Sequence, residues 1–265
     1  MRLASFMVDG SSTVRAGEIR DGRVFAFTDE QVSVLDCLAN PDLRPALEQT
    51  GLELSQVSLM APVPRPRAIF GIGLNYADHV AETGGQVPEQ PLVFMKLPSS
   101  AAPPNAPVRC PQVVRRLDYE GELAVLVGAG GCVGGYAVAN DLSARDLQKR
   151  EPQWTRAKGA DGFCPYGPWV TTADEIPDPY ALDLRTWVNG ELRQQSNTSN
   201  LIFRVQELLA FISQTCTLEP GDLILTGTPG GVGMALDPPR FLASGDVVRI
   251  EIDGLGTIEH SIASS

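Results

Sequence analysis

Apolar residues along the chain fall in short runs, and many of them alternate with polar residues. Runs of this kind predict β-strands where Gly, Pro, Asn or Asp bound them. The predicted strands cover residues 3–8, 16–19, 24–27, 68–72, 92–96, 120–127, 133–140, 184–188, 222–226 and 247–252. The pairs Asp21-Gly22, Asn189-Gly190 and Asp253-Gly254 are typical of hairpin turns. The pattern therefore predicts a strand-rich protein with several hairpins.

Helical periodicity is confined to a few segments. Residues 204–214 match it best, because their apolar residues recur at helical spacing. Weaker helical patterns cover residues 32–38, 43–48, 76–82 and 144–150. The balance predicts a β-dominated α+β fold and disfavours a doubly wound one.

A proline-rich segment divides the chain. Residues 61–67 read APVPRPR, a composition typical of a semi-rigid linker. We therefore predict two domains, a small N-terminal α/β domain at residues 1–62 and a main domain at residues 63–265.

The charge of the chain disfavours some partners. The 265 residues carry a formal net charge of -11, whereas nucleic acid or an anionic membrane as main partner would require a basic face. No run approaches the roughly 18 apolar residues of a membrane span, and Asp9 makes the N-terminus a poor signal peptide. The five cysteines show no Cys-x-x-Cys spacing, so neither a zinc ribbon nor a disulfide framework is predicted. We expect a cytoplasmic protein that binds neither nucleic acid nor membrane.

Three acidic residues form the most informative candidate site. Glu120 and Glu122 are two apart on a predicted strand, so their carboxylates point to one face and repel unless a cation lies between them. Gly121 suits a close backbone approach, and Asp141 follows the next predicted strand. Carboxylates without nearby Cys or His indicate a hard ion, namely Mg²⁺, Mn²⁺ or Ca²⁺. A solvent-facing edge strand would carry the same Glu-x-Glu pattern, so this alternative stays open.

Five further residues are candidates for chemistry. Arg145 and Gln148 lie three apart on a predicted helical turn, and a guanidinium offers a fork suited to a carboxylate. Lys158 stands among small residues, where a poorly solvated amine would face an anion. Glu82 follows His79 at a spacing that holds an imidazole and raises its basicity. Taken alone, each also fits an ordinary surface or loop position.

Other motifs indicate no chemistry. The glycine clusters at residues 128–135 and 227–233 lack the register and the Lys-Ser/Thr pair of nucleotide-binding loops. His260 lies near the C-terminus in a predicted last strand and is assigned no chemical role. Two histidines in total leave little material for a Ser/His/Asp triad.

Several segments in combination resemble the fumarylacetoacetate hydrolase family. They read GIGLNYADHVAE from residue 71, PLVFMKLPSS from 91, LDYEGELAVLVG from 117, GYAVANDLSARDLQ from 135, AKGADGFCPYGPWV from 157 and LEPGDLILTGTPGGVG from 218. The resemblance covers residues 65–262. It implies a mixed β-sandwich roll in the main domain and assembly as a homodimer.

The resemblance also implies a metal centre and a catalytic dyad. Glu120, Glu122 and Asp141 would ligate Mg²⁺ or Mn²⁺, with Ca²⁺ as a substitute. His79 with Glu82 would form the pair that activates water.

Substrate contacts are implied in the same way. The residues concerned are Arg145, Gln148, Lys158, Thr228 and, among further pocket candidates, Tyr119 and Tyr166. Thr228 would meet a substrate carboxylate, and Lys158 would offset oxyanion charge.

The function expected from these parts is hydrolysis of a carbon–carbon bond in an acylpyruvate such as fumarylpyruvate, through a metal-bound enolate. Two alternatives use the same enolate chemistry, namely decarboxylation of oxaloacetate and isomerisation of 2-hydroxyhepta-2,4-diene-1,7-dioate. The motifs do not separate these outcomes, because the enolate-stabilising residues are common to all of them. A non-catalytic ligand-binding protein is disfavoured, since His79 and Glu82 are both present.

Overall fold

A computed structural model describes residues 1–264 of the protein, with the backbone alone at position 83. Within this range the α-helices are α1 (Val34–Ala39), α2 (Ala77–Thr83), α3 (Arg145–Arg150), α4 (Thr155–Lys158) and α5 (Val205–Ser213). The strands are β1 (Arg2–Val8), β2 (Arg15–Arg20), β3 (Arg23–Ala26), β4 (Leu52–Glu53), β5 (Val57–Leu59), β6 (Ile69–Gly73), β7 (Leu92–Lys96), β8 (Ala101–Ala102), β9 (Val108–Cys110), β10 (Leu117–Asp118), β11 (Gly121–Val127), β12 (Val133–Asn140), β13 (Ser143–Ala144), β14 (Cys164–Thr172), β15 (Asp183–Val188), β16 (Glu191–Asn197), β17 (Leu223–Leu225), β18 (Val247–Ile252) and β19 (Gly256–Ser264).

The strands build a mixed β-structure. A twelve-stranded sheet has the order β4-β3-β2-β1-β14-β12-β11-β17-β6-β7, with β5 beside β1 and β8 beside β14. A five-stranded sheet has the order β16-β15-β18-β19-β9, and β10 pairs with β13. Most neighbours are antiparallel, but three pairs are parallel: β17 with β6, β19 with β9 and β14 with β8. The prediction of a β-dominated fold with mixed sheets is confirmed.

Both faces of the central strand β11 are covered. Leu123 and Val125 belong to an apolar cluster that also contains Ile250 of the five-stranded sheet. Ala124 and Leu126 belong to a second cluster on the opposite face. A strand buried on both sides reads as a continuous apolar run, which accounts for the sequence GELAVLV of β11.

Pairing between β11 and β12 places the acidic residues. Gly121 lies opposite Asn140, and the register continues along both strands. The start of β11 is therefore beside the end of β12. Because Glu120 precedes β11 and Asp141 follows β12, the two residues lie at the same edge of this antiparallel pair.

The N-terminal segment is continuous with the large sheet. Arg2 pairs with Thr171 and Leu3 with Val170, so β1 is a direct neighbour of β14. Leu3 also shares an apolar cluster with Leu126 of the main domain. A domain boundary between residues 62 and 63 stays a prediction.

Two local assignments differ from the sequence pattern. The helix predicted at residues 43–48 is wrong, because this segment has no helical structure and Leu47 forms a β-bridge with Phe27. The central strand β14 was not predicted, because Pro165, Gly167 and Pro168 interrupt its strand signal. No helix among the described residues is long and apolar enough to span a membrane.

Tyr166 ties the linker to β14. It is fully buried, and its hydroxyl donates to the Val63 carbonyl at 2.6 Å and accepts from the Val63 N–H at 3.0 Å. Both polar groups of one linker residue are thereby satisfied inside the protein.

We expect Tyr166→Phe to lower the free energy of unfolding by about 1–3 kcal/mol, because it leaves buried backbone groups without partners. Urea denaturation measures the change. Tyr180→Phe is the control, since it removes a hydroxyl from a half-buried ring that lies against Arg204. Equal stability of the two variants would contradict the structural role of the Tyr166 hydroxyl.

Candidate active site

Three carboxylates predicted to act together converge in the structure. Each of Glu120, Glu122 and Asp141 offers an oxygen within 4.8 Å of the other two, and all three side chains are buried. The Asp141 N–H donates to the Glu120 carbonyl at 2.9 Å, which fixes these two residues relative to each other. Burial rules out the alternative of a solvent-facing edge strand.

Cationic side chains contact two of these carboxylates. Lys158 Nζ lies 2.5 Å from Glu120 Oε2 and 2.7 Å from Asp141 Oδ2. Lys96 Nζ lies 2.6 Å from Asp141 Oδ1, and Arg145 Nη2 lies 2.6 Å from Glu120 Oε1. Burial acts to raise the pKa of Glu120, but Arg145 and Lys158 hold that pKa below its usual range. Glu120 is therefore ionised.

Glu122 is placed differently. Its Oε2 accepts a hydrogen bond from the Gly227 N–H at 2.7 Å, but no lysine or arginine in the described chain forms an ion pair with it. Burial raises the pKa of Glu122 well above its ordinary value, and the nearby Asp141 and Glu120 charges raise it further. Among the three carboxylates, Glu122 is the one that no cationic side chain of the described chain contacts, so its raised pKa favours the protonated form in the metal-free protein.

The charge balance fits a divalent cation. The buried charges at the site are four carboxylates and three cations, namely Asp118, Glu120, Glu122, Asp141, Lys96, Arg145 and Lys158. With all four carboxylates ionised, their net charge would be one negative, and a buried uncompensated charge is costly. The raised pKa of Glu122 therefore favours its protonated form until a cation binds. Three carboxylate oxygens are ligands suited to Mg²⁺, Mn²⁺ or Ca²⁺. A bound divalent ion would displace the proton of Glu122, leave the site with one net positive charge and favour an anionic substrate.

Arg145 is held by two carboxylates. Its Nε donates to Asp118 Oδ2 at 2.9 Å, in addition to its contact with Glu120, and its Nη1 donates to Gln148 Oε1 at 3.0 Å. Burial opposes the charge of Arg145, but the Glu120 and Asp118 carboxylates outweigh it and raise the pKa. Arg145 therefore fixes Glu120 and Gln148 at the wall of the cavity.

The predicted dyad lies on α2. His79 Nδ1 is 3.7 Å from Glu82 Oε2. Both Glu82 oxygens accept from the Gly231 N–H at 3.0 Å. Glu82 thus joins the helix that carries His79 to the glycine-rich loop after β17, and it keeps a carboxylate facing the imidazole.

Thr228 and Gln194 connect that loop to the acidic segment. Thr228 Oγ1 donates to the Gly121 carbonyl at 3.0 Å, and Gln194 Nε2 donates to Thr228 Oγ1 at 2.8 Å. Gln194 Oε1 accepts from the Gly121 N–H at 3.0 Å. A Cβ atom at Gly121 would lie 2.3 Å from Thr186 Oγ1, so glycine is required between the two glutamates.

Two connected cavities form the site. The inner cavity has a volume of about 60 Å³, and its polar lining comprises His79, Glu120, Glu122, Arg145, Gln148, Lys158 and Thr228. The outer cavity has a volume of about 780 Å³ and shares His79, Arg145, Gln148 and Trp154 with the inner one. The seven polar residues of the inner cavity were predicted on separate segments, and the fold brings them together.

Four predicted residues lie outside the cavity walls. Glu82 acts through His79, and Asp141 lies behind Lys158. Tyr166 is not brought to the cavity, because its hydroxyl is committed to Val63 on the other side of β14. Tyr119 bonds the Gly231 carbonyl at 2.8 Å and supports the loop.

Sequence reasoning missed four buried polar residues at the site: Lys96, Asp118, Asn140 and Gln194. Lys96 carried a signal, since it is the single charge at the end of the apolar strand LVFMK. Asp118 also carried a signal, because it precedes Glu120 by two positions and so continues the spacing of Glu120 and Glu122. Gln194 carried none, because its strand ELRQQSN is polar throughout.

The mixed β-fold and the buried carboxylate cluster beside a histidine fit an enzyme that binds a divalent metal ion, and comparisons with known proteins give the family. The family model described as fumarylacetoacetate (FAA) hydrolase C-terminal matches residues 68–263. This chain belongs to that family.

Relatives within the family carry different activities in their names. The chain is 41% identical to oxaloacetate tautomerase fahd2, mitochondrial, of Xenopus laevis, over 99% of this chain and 90% of the relative. Fumarylacetoacetate hydrolase from Exiguobacterium antarcticum superposes with a TM-score of 0.88, with 35% identity and full coverage of both chains. Maleylpyruvate hydrolase from Sphingobium sp. SYK-6, solved with manganese(II) and pyruvate, gives 0.82 with 31% identity and full coverage of both chains.

We expect Glu122→Gln to leave the metal-free protein at least as stable as the wild type, because it removes a buried carboxyl group whose raised pKa costs stability near neutral pH, and to abolish stabilisation by Mn²⁺. In the wild type, Mn²⁺ at about 100 times its dissociation constant adds about 2.7 kcal/mol. Thermal unfolding with and without Mn²⁺ measures both effects. Glu259→Gln, at an exposed position, is the control. Full Mn²⁺ stabilisation of the Glu122 variant would contradict the assignment.

Proposed function

We propose that this protein enolises a small 2-oxo acid, and that it interconverts the keto and enol forms of oxaloacetate. The observation that carries the proposal is the balance of buried charges in and behind the wall of the inner cavity. Four buried carboxylates and three buried cations fit one divalent ion and an anionic ligand beside His79. The 41% sequence identity to an oxaloacetate tautomerase over 99% of this chain supports oxaloacetate as the substrate.

Glu120, Glu122 and Asp141 are the residues that would hold the ion. Once bound, a divalent ion supplies a Lewis acid that withdraws charge from a 2-oxo carbonyl. Mg²⁺ and Mn²⁺ are the ions we propose, with Ca²⁺ as a substitute, because all the ligands are hard oxygens.

Proton transfer is assigned to His79. Its imidazole lines the inner cavity beside Glu120 and Glu122, and Glu82 faces Nδ1. A carboxylate in that position orients the ring and stabilises it after it takes a proton. The imidazole would remove the proton from carbon 3 of the substrate and return it to the oxygen on carbon 2, while the electron pair forms the carbon–carbon double bond.

Three side chains would bind the substrate. Gln148 and Thr228 present polar groups to the inner cavity, and Thr228 is the contact we assign to a carboxylate. Lys158 keeps a positive charge there, because the Asp141 and Glu120 carboxylates outweigh burial and raise its pKa. This charge would offset negative charge that develops on the substrate oxygen.

Hydrolysis of a carbon–carbon bond in an acylpyruvate is the second candidate, and the outer cavity favours it. Its volume of about 780 Å³ gives room for a tail that oxaloacetate lacks. His79 with Glu82 would then deprotonate a water that attacks the distal carbonyl, and pyruvate would leave as its enolate. The relationship to a maleylpyruvate hydrolase supports this alternative.

A substrate panel separates these reactions. With Mn²⁺ bound, we expect kcat/KM for oxaloacetate tautomerisation to exceed that for fumarylpyruvate hydrolysis by about tenfold or more, a difference of about 1.4 kcal/mol in activation free energy. The same panel includes oxaloacetate decarboxylation and isomerisation of 2-hydroxyhepta-2,4-diene-1,7-dioate. The rate of tautomerisation without enzyme and the rate with the Glu122→Gln variant are the background rates that are subtracted. Faster cleavage of fumarylpyruvate would establish the second candidate, and turnover of none of these substrates would contradict both.

We expect His79→Gln to lower kcat for oxaloacetate by about 10²–10⁴-fold, as loss of a general acid–base group does. Its affinity for Mn²⁺ should stay at the wild-type value, because His79 is not assigned as a ligand. Steady-state kinetics and Mn²⁺ titration measure the two properties. An unchanged kcat would remove His79 from the mechanism.

Assembly as a homodimer and a cytoplasmic location stay predictions.

A further inference from the structure

His260 is the second histidine of the chain and lies far from the substrate-facing residues in sequence. It belongs to β19 of the five-stranded sheet and is 1% exposed. Its Nε2 lies 3.0 Å from Asn140 Nδ2. Asn140 is the last residue of β12 and directly precedes Asp141.

The hydrogen bonds of Asn140 fix its orientation. Asn140 Oδ1 accepts from the Glu120 N–H at 3.0 Å, so the amide oxygen must face Glu120. The amide nitrogen then faces His260, and Nε2 has to be the unprotonated, accepting nitrogen of the ring. Burial lowers the pKa of His260 to about 4, against a smaller raising effect of the Pro104 carbonyl. The ring is therefore neutral near neutral pH and can accept.

Glu120 depends on this arrangement because its backbone is held from two adjacent residues. The Asn140 amide holds the Glu120 N–H, and the Asp141 N–H holds the Glu120 carbonyl. These two hydrogen bonds fix the backbone of Glu120, and therefore the point from which its side chain extends towards the other carboxylates. If Asn140 turned over, two N–H donors would meet and the Glu120 backbone would have to move.

We propose that His260 is a positioning residue for the divalent-metal centre, acting through Asn140 on the backbone of Glu120. It touches neither ion nor substrate. When a residue that orients a metal ligand without contacting the metal is replaced, the metal affinity typically falls by about 10–100-fold. The proposal concerns metal binding and does not depend on which 2-oxo acid is the substrate.

Two substitutions at position 260 separate hydrogen bonding from packing. His260→Gln places an amide oxygen near the position of Nε2 and keeps an acceptor, whereas His260→Leu fills a similar volume without one. We expect the Leu variant to bind Mn²⁺ about tenfold more weakly, and the Gln variant to stay within about threefold of the wild type, a difference below 1 kcal/mol. Mn²⁺ titration followed by electron paramagnetic resonance measures the affinity of the metal-free protein directly.

A control addresses general damage to the strand. Ile258 is fully buried on β19, two residues from His260. Ile258→Val should lower the midpoint of thermal unfolding, because it removes a buried methyl group from the core, and leave the Mn²⁺ affinity unchanged. If His260→Leu does not fold, His260→Met takes its place, because its flexible side chain fills the space and its sulfur is a weak acceptor.

A double-variant cycle tests the route through Asn140. We expect Asn140→Ala alone to weaken Mn²⁺ binding about tenfold. Adding His260→Leu to it should weaken binding by less than about twofold more, because both changes interrupt one path. Wild-type Mn²⁺ affinity in folded His260→Leu, or losses that multiply fully in the double variant, would overturn the proposal.

Discussion

The burial of four carboxylates in one small region is the constraint on which the rest of the site depends. Like charges at this distance raise one another's pKa and destabilise the folded protein unless cations accompany them. Lys96, Arg145 and Lys158 meet three of the four carboxylates, and Glu122 is left over. The protein thus keeps room for one more positive charge at the place where a divalent ion would meet a 2-oxo acid.

The scaffold holds these charges through backbone pairing. The register of β11 against β12 brings Glu120 and Asp141 to one edge, and Gln194 from the five-stranded sheet holds the N–H of Gly121. The loop after β17 contributes Thr228 and the Gly231 N–H that binds Glu82. Because the contacts come from separate layers of the sandwich, the distance between His79 and the carboxylates is set by the packing of the whole domain.

The sequence predicted the parts that local pattern determines. β11 and β12 are long apolar runs that end beside charged residues, so both strands and the three acidic residues were evident. The ion pair between Lys96 and Asp141 was not evident, because β6, β17 and β11 lie between β7 and β12 in the sheet and nothing near Lys96 in sequence indicates Asp141. The prediction of a sandwich roll came from the family resemblance and not from the spacing of residues. The resemblance also suggested Tyr166 as a pocket residue, whereas the pairing of β14 turns that hydroxyl towards Val63.

The account rests on the position of the ion, and anomalous diffraction from crystals grown with Mn²⁺ and oxalate observes it directly. We predict one strong anomalous peak bonded to oxygens of Glu120, Glu122 and Asp141, with oxalate completing its coordination within the cavity that His79 lines. A site without a peak, or a Mn²⁺ ion that leaves Glu122 uncoordinated, would contradict the charge-balance argument.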